Sequence, residues 1–577
     1  MYFSHTPALL KRACLFSLSC VLSFWSSGQV LDWAHVVGPG YLYSEDGLNM
    51  QVDADSNLII ISTITEFDSL DIDPASQVQV VKARGYSNTI IQKFDASGNL
   101  IWHHSISSNV FNEAVALDVD DENNILVLGS FAGTVDFDPG AEEFLLAGSS
   151  AQESISHFLL KLNADGEFIW AREIDRLSYR KENKSIAALP DGSTLVFSDY
   201  QRNVDADPGP GIVPYFSSSE YSGFLTKLDP MGFYEWSVHF SSDSILFPLA
   251  LESDADGKAY ACFVHVGNTE INGTNISQPV NLTATQNAGS HLISISDEGK
   301  IEWMKGFDGR IGCENIYADN AQNLYVSGVF FGNPDFDFSD QTFTLNSIGN
   351  DDGFILKMSD EGQFEHAIQF NERARPSITS NGIYNRIETD FREDIDPGPD
   401  TVEVNAYPNQ TAVIFVQLTK DLELLDYKTY SQQRNVSTVN GWVAGPNGEA
   451  YTAGMITEEF DFDPELESVV KSAPGGLGNF LFKLWLFAPP LGISAITENP
   501  SHRIYPNPAA DDRWYLTFEE VQESVSIDLY AANGQRIRSL KANQVSSLEV
   551  ATPETPGIYF MKVSTTERES THRLIKQ

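Results

Sequence analysis

From residue 48 to residue 485 the chain is a succession of short runs rich in Val, Ile, Leu and Phe, each stopped by a cluster of Asp, Asn, Ser and Gly. Runs of four to eight such residues between turn-forming clusters predict β-hairpins. Ala114–Val119 and Ile125–Ser130 flank Asp120-Asp-Glu-Asn-Asn124, and Phe158–Leu162 and Phe168–Ile174 flank Asn163-Ala-Asp-Gly166. These four runs are strands A, B, C and D of one unit. The single glycine of the C–D turn supplies the positive φ that such a turn demands.

The unit repeats. Asp95-Ala-Ser-Gly98-Asn-Leu-Ile-Trp102 returns as Asn163-Ala-Asp-Gly166-Glu-Phe-Ile-Trp170, Asp229-Pro-Met-Gly232-Phe-Tyr-Glu-Trp236, Ser296-Asp-Glu-Gly299-Lys-Ile-Glu-Trp303 and Ser359-Asp-Glu-Gly362-Gln-Phe-Glu-His366. A degenerate copy ends at Tyr427, and Trp33 opens the series without a preceding turn. The intervals from Trp33 to Tyr427 are 69, 68, 66, 67, 63 and 61 residues, a period that marks an array of supersecondary units.

Seven A–B hairpins can be counted, near Leu48–Ile64, Ala114–Ser130, Ser185–Phe197, Leu249–Val264, Asn315–Val329, Ser377–Ile387 and Val436–Met455, but only six C–D hairpins. The seventh C strand, Phe480–Trp485, runs into Pro489-Pro490 with no D partner. Leu31–Val37 resembles every other Trp-bearing D strand and stands at the opposite end of the chain. An open array would expose strand edges and a ring shields them. The expectation is an all-β chain, a seven-bladed β-propeller whose N-terminal strand closes the last blade, over residues 29–487. The units also resemble the bacterial extracellular β-propeller repeat in Asp-x-x-Asn-Asn-Ile-Leu-Val-x-Gly-Ser-Phe, Val-Asp-Phe-Asp-Pro-Gly and Phe-x-x-Lys-Leu-Asn-x-x-Gly-x-x-x-Trp-Ala, a family found on secreted proteins and without a shared catalytic activity.

Six units carry Asp-x-Asp between strands B and C: Asp71/Asp73, Asp136/Asp138, Asp205/Asp207, Asp335/Asp337, Asp394/Asp396 and Asp461/Asp463. The fourth has Glu270-Ile-Asn272-Gly273 instead. On extended backbone both carboxylates share one side and with loop carbonyls would suit calcium. The simpler reading is a turn capped by the Asp side chain, with the middle residue, such as Phe137, Phe336 or Phe462, anchoring the loop. The B–C and D–A connections are longer than hairpins need, which makes their rim and its central mouth the expected contact surface.

Charge narrows the partners. Lys and Arg number 36 against 80 Asp and Glu, a net of −44, which disfavours nucleic acid and anionic membrane surfaces. Lys11 and Arg12, the apolar run Ala13–Trp25 and the small residues Ser26, Ser27 and Gly28 have the order of a secretory signal over residues 1–28. That run is too short for the ~30 Å of a bilayer core, so no transmembrane segment is expected. Beyond it only Cys262 and Cys313 remain, enough for one bridge and equally readable as two buried small apolar residues.

Residues 501–577 change character, with nine Lys or Arg against ten Asp or Glu. About seven short strands with an Asn533-Gly534 turn predict a small Ig-like β-sandwich, joined through a linker at 488–500. Ile504-Tyr-Pro-Asn-Pro-Ala509, Asn533-Gly534, Gly557-Ile-Tyr559 and the terminal strand with Lys576 resemble a type IX secretion C-terminal sorting domain, type A. The resemblance implies a secreted or outer-membrane-surface protein whose residues 501–577 meet the type IX secretion machinery.

None of the eleven histidines lies in His-Glu-x-x-His, and Gly-x-Ser-x-Gly is absent. No catalytic residue is singled out. The function expected is a non-catalytic binding or adhesion protein for a glycan or protein ligand. The alternative is an extracellular polysaccharide- or peptide-degrading enzyme on a divergent propeller, distinguished by acids or bases of different units converging on one site.

Overall fold

The computed structural model describes residues 30–485 and 502–576, apart from 38–48 and shorter stretches within the connections such as 74–79, 175–183, 406–411, 463–468 and 473–477. The expected signal segment 1–28 and linker 488–500 lie outside the described residues. Among those described, strand is the one regular element, and no helix occurs.

Most strands follow one another in antiparallel runs of four, which further pairings join into an eight-stranded and an eleven-stranded sheet, while short B–C pairs such as Thr134–Asp136 with Leu145–Ala147 form ladders of their own. The first run is Asn49–Val52, Leu58–Thr65, Ser87–Phe94 and Leu100–Ile106. The second is Phe111–Val119, Ile125–Ala132, Ser156–Leu162 and Phe168–Ile174. The third is Lys184–Ala188, Thr194–Tyr200, Ser222–Leu228 and Tyr234–Ser242. The fourth is Ile245–Ser253, Ala259–Gly273, Val280–Ile295 and Ile301–Ala318. That last strand is long enough to open the fifth run as well, with Asn323–Asp335, Asp352–Ser359 and Phe364–Phe370. The sixth is Arg375–Thr379, Gly382–Thr389, Ala412–Leu418 and Leu424–Ser431. The seventh is Val436–Ala444, Glu449–Ile456 and Gly478–Trp485.

Its fourth strand comes from the other end of the chain. Val30–Val37 pairs antiparallel with Gly478–Trp485, with Ala34 opposite Phe482 and His35 opposite Leu481. The sheet order is Val30–Val37, Gly478–Trp485, Glu449–Ile456, Val436–Ala444.

Consecutive runs share cores. The first and second bury Ile59, Ile91, Val127 and Phe158 together, and the sixth and seventh bury Phe415, Phe480 and Phe482. The seventh and first bury Tyr451, Leu481, Leu58 and Ile90. Each such side chain withdrawn from water contributes roughly 1.5–3 kcal/mol.

The repeated Asp-x-x-Gly-x-x-x-Trp has its physical account here. Each indole reaches the C–D turn of the following unit. Trp33 Nε1 donates to Ala96 O at 3.2 Å, Trp102 to Ala164 O at 3.3 Å, Trp170 to Pro230 O at 2.9 Å, Trp236 to Asp297 O at 2.7 Å and Trp303 to Asp360 O at 2.8 Å. The turn glycine lies under the ring: a Cβ at Gly232, where φ is +75°, would stand 2.9 Å from Trp170. Glycine is therefore demanded twice, by φ and by the ring. The C-strand lysine ties the same joint. Lys93 Nζ meets Asp53 at 2.8 Å within its unit and donates to Ala164 O at 3.0 Å in the next. Lys483 meets Asp32 at 3.0 Å and donates to Ala96 O at 2.8 Å, so the seventh unit holds the first in the same way.

Where the indole is missing the turn changes too. His366 replaces Trp and is exposed, and the sixth-unit turn carries Leu422 at φ +66°, buried, instead of glycine. Without a ring above it the turn position accepts a side chain, which joins the core beside Ile414 and Val416.

Cys262 and Cys313 are unbonded thiols buried in the core shared by the fourth and fifth units. Burial pushes the Cys262 thiol well up.

Residues 502–576 form a five-stranded sheet of His502–Tyr505, Arg513–Ala531, Arg536–Ala551, Gly557–Thr565 and Glu569–Lys576 around Trp514, Ile527, Val550 and Met561. The expectation of about seven short strands is corrected. Trp514–Phe518 and Val525–Tyr530 are one strand with a register shift between Thr517 and Gln522, and its partner is likewise continuous. A polar interruption that reads as a turn is absorbed as an irregularity within the ladder. The Asn533-Gly534 turn lies outside the described residues.

The Trp–Gly joint predicts a contrast between two glycines of similar φ. Gly232→Ala should lower stability by about 2–4 kcal/mol, from left-handed backbone plus the clash with Trp170. Gly332→Ala, at φ +83° with nothing within 4 Å, should cost only about 1–2 kcal/mol. Urea denaturation of both variants checks this.

Candidate functional site

The Asp-x-Asp carboxylates are occupied in holding their own loops. Asp136 Oδ1 accepts from Asp138 N at 3.1 Å and Phe144 N at 2.9 Å, and Asp138 Oδ1 accepts from Gly140 N at 2.7 Å. Asp205 bonds Asp207 N and Val213 N, and Asp207 bonds Gly209 N. Asp335 bonds Asp337 N and Phe343 N, and Asp337 bonds Ser339 N. Asp394 bonds Asp396 N and Val402 N, and Asp396 bonds Gly398 N. The middle residue is buried in all seven units: Ile72, Phe137, Ala206, Ile271, Phe336, Ile395 and Phe462. Asp73 follows Ile72; the side chains of Asp71 and Asp461, and Asp463 altogether, lie outside the described residues. In the fourth unit, which lacks the motif, Ile271 pairs with Val280 in a lengthened B–C hairpin. Among the described residues no three His, Cys, Asp or Glu side chains group as a metal site would require.

A different set of residues converges from separate units. The A strands border a cavity of about 730 Å³, lined by Gln51, Asp53, Asp118, Glu252, Tyr317, Tyr325, Ser327, Ser377 and Trp442 among others. A second hollow of about 260 Å³ shares Gln51, Asp118 and Glu252 and adds Ser185 and Ile186 of the third unit. Together all seven A strands contribute wall. The larger cavity lies at the A–B turn end, beside Asp53, Ala54, Thr379 and Ala444. The sequence directs attention to the long connections; the cavity instead opens among the tight turns, because the A strands converge there and carry short or polar side chains just before each turn.

Register explains which residues meet. Asp118 pairs with Leu126, Glu252 with Tyr260, Tyr317 with Tyr325, Gln51 with Ile59 and Val443 with Tyr451. Each stands two residues before its turn. Aligned on their turns, the seven hairpins put Asp118 and Glu252 at one level, a relation that the Trp–Gly repeat does not carry.

Their electrostatics set them apart. Asp118 Oδ2 accepts from Ala188 N at 2.7 Å and Oδ1 from Val119 N at 2.9 Å. Burial pushes its pKa up to about 6 despite these bonds, and the Asp120 charge adds to the rise. Glu252 accepts from Ser253 N at 3.0 Å. Burial first, then the charges of Asp118 and Asp254, push it up to about 8. Tyr317 is pushed up to about 12 by burial and by Glu252. Unlike Asp53 and Asp120, which meet Lys93 at 2.8 Å and Lys161 at 2.9 Å, neither Asp118 nor Glu252 has a cation partner among the described residues. Such a pair can hold a proton, give one up near neutrality, or receive a positive group.

Residues 503–577 match the secretion system C-terminal sorting domain. These residues are a type IX sorting domain, and the protein is exported through that machinery to the cell surface or extracellular space. An uncharacterized WD repeat-containing protein of Acanthamoeba polyphaga mimivirus is 20% identical over 268 residues, covering 41% of this chain and 19% of that protein. The chain thus spans about a fifth of that relative. A protein of unknown function from Bacteroides caccae aligns at 11% identity over 51% of this chain and 78% of its own, with a TM-score of 0.25. A member of the DUF4221 family from Bacteroides vulgatus aligns at 10% over 79% and 97%, with a TM-score of 0.27. At these scores the likeness fixes no fold. Among the described residues no helix is long and apolar enough to cross a membrane.

The turn bonds predict that Asp136→Ala lowers stability by about 1–3 kcal/mol by leaving two backbone donors without their acceptor, while Asp136→Asn costs much less. Adding calcium or EDTA should leave the melting temperature of each protein unchanged, as differential scanning calorimetry would show. The raised carboxyls predict a pH dependence. The folded state holds these protons more tightly than the unfolded chain, so their stabilisation is full below about pH 4 and is lost as pH rises through about 8. Glu252→Gln should therefore flatten the fall in unfolding free energy between pH 5 and pH 9, measured in urea at several pH values.

Proposed function

We propose that residues 29–487 form a seven-bladed β-propeller closed by the N-terminal strand, that 1–28 are a signal peptide, 488–500 a linker and 501–577 an Ig-like sorting sandwich. In this reading the chain is a secreted or surface-held binding protein, without catalytic activity, that takes a glycan or protein ligand in its central channel. The closing strand supports the ring, and so does Trp33, whose bond to Ala96 repeats in the seventh unit the joint seen between the others. The observation that carries the binding role is the cavity itself: A strands of six units line one space that holds two carboxyls without cation partners. Long connections and the acidic surface limit partners to neutral or basic ones.

The enzymatic reading has one observation in its favour. Asp118 and Glu252 come from the second and fourth units and hold protons with different strength, the arrangement that acid–base hydrolysis uses.

The test is to screen the purified secreted protein on glycan and peptide arrays and on polysaccharide substrates, beside Glu252→Gln and Tyr317→Ala. The expected result is saturable binding that both substitutions weaken about tenfold or more, with no turnover. Turnover lost in Glu252→Gln would replace the binding role by the enzymatic one. Binding untouched by both substitutions would move the site out of the channel.

A further inference from the structure

Three buried carboxylates of this fold are neutralised by lysines. Asp53 faces Lys93, Asp120 faces Lys161, and Asp319 meets Lys420 at 3.0 Å. Asp118 and Glu252, at the cavity, have no cation partner among the described residues. Among the described residues they receive only main-chain N–H groups, from Val119, Ala188 and Ser253, and the acids Asp120 and Asp254 stand near them.

A second observation lies across the same cavity. Ser327 is 2% exposed, lines the space with Glu252 and Tyr317, and its Oγ has no hydrogen-bond partner among the described residues. A buried hydroxyl without a partner carries an uncompensated desolvation cost, which a ligand group bonding it would remove. The neighbouring rings are already suited to positive charge: Lys420 Nζ stands 5.8 Å from the ring centroids of both Tyr317 and Tyr325.

We propose that the channel binds an organic cation, an ammonium or guanidinium group, held by Asp118 and Glu252 with Ser327 as a further acceptor. This rests on the channel being the recognition site proposed above. A metal ion fits less well. Calcium takes six to eight oxygens, and two carboxyls and one hydroxyl from three units do not supply them. An ammonium or guanidinium brings several directed donors and can lie against aromatic faces. The same chemistry is available from a free amine or from a Lys or Arg side chain of a polypeptide.

Calorimetric titration of the full exported protein at pH 9 tests this, with N-acetyl-lysine methylamide, N-acetyl-arginine methylamide, the uncharged N-acetyl-norleucine methylamide and calcium chloride as probes. The expected result is saturable binding of a cationic probe and none of the norleucine analogue. Affinity should fall about tenfold or more in Glu252→Gln and fall again from pH 9 to pH 6 in the unsubstituted protein. A Lys-containing tripeptide that binds tenfold tighter than the free probe would identify a polypeptide as the source; equal affinity would identify a small amine.

A melting curve of Glu252→Gln at pH 6 separates misfolding from lost binding, and Ser327→Ala offers a second variant with reduced affinity expected. Calcium binding in place of the organic probes, or cation binding that neither substitution changes, would overturn the proposal. If no cation binds while an array ligand still depends on Tyr317, the cation proposal fails and the channel reading stands. If no array ligand depends on the channel either, both fail.

Discussion

The contact on which the rest of the molecule depends is the indole of one unit laid on the glycine turn of the next. It couples neighbours twice, through a hydrogen bond to a turn carbonyl and through a ring resting where a Cβ would otherwise be. The buried lysine of the C strand reaches the same region, and Ala96 O and Ala164 O each accept from both the indole and the lysine. A joint of this kind makes each unit's stability conditional on its neighbour, as in any array whose repeats cannot bury their faces alone. Trp33 extends that dependence to the two ends of the chain, since it belongs to a strand of the seventh unit and grips a turn of the first.

The acidity of the chain takes on a different meaning once its interior is seen. A net charge of −44 reads as surface repulsion, yet a series of acids is drawn inward to hold lysines at the joints and backbone N–H groups at the turns. The Asp-x-Asp motif belongs to the second group. Its first carboxylate spans the loop from Asp136 to Phe144, and its middle residue plugs the core. Repetition in six units follows from six loops needing the same closure. Asp118 and Glu252 accept main-chain N–H groups at the cavity wall but face no cation among the described residues, and a carboxyl without a counter-ion is the natural place to look for a ligand.

The two irregular copies of the repeat are instructive. His366 and Tyr427 look like decay of the pattern. Leu422 shows that the first of them is a compensated change, because losing the ring frees the turn position for a buried side chain. The second precedes the unit whose C and D strands come from opposite ends of the chain, so no C–D turn exists there to receive an indole.

The sequence by itself determined the strands, their grouping in fours, the pairing of Val30–Val37 with the last C strand and the sorting tail. Each of these rests on local signals: alternation, turn residues, a short period and a contiguous motif. It also held both readings of the Asp-x-Asp loops, and the hydrogen bonds of Asp136, Asp205, Asp335 and Asp394 are those of the capped turn. Only the tertiary structure decided that Asp118, Glu252, Tyr317 and Ser327 share a cavity. They are separated by as much as 209 residues, and their meeting depends on strand register and on the convergence of A strands from different units. No local pattern encodes that convergence. The continuous, bent strands of the tail are likewise a tertiary outcome, since ladder pairing on both sides carried them through residues whose own preference is for a turn.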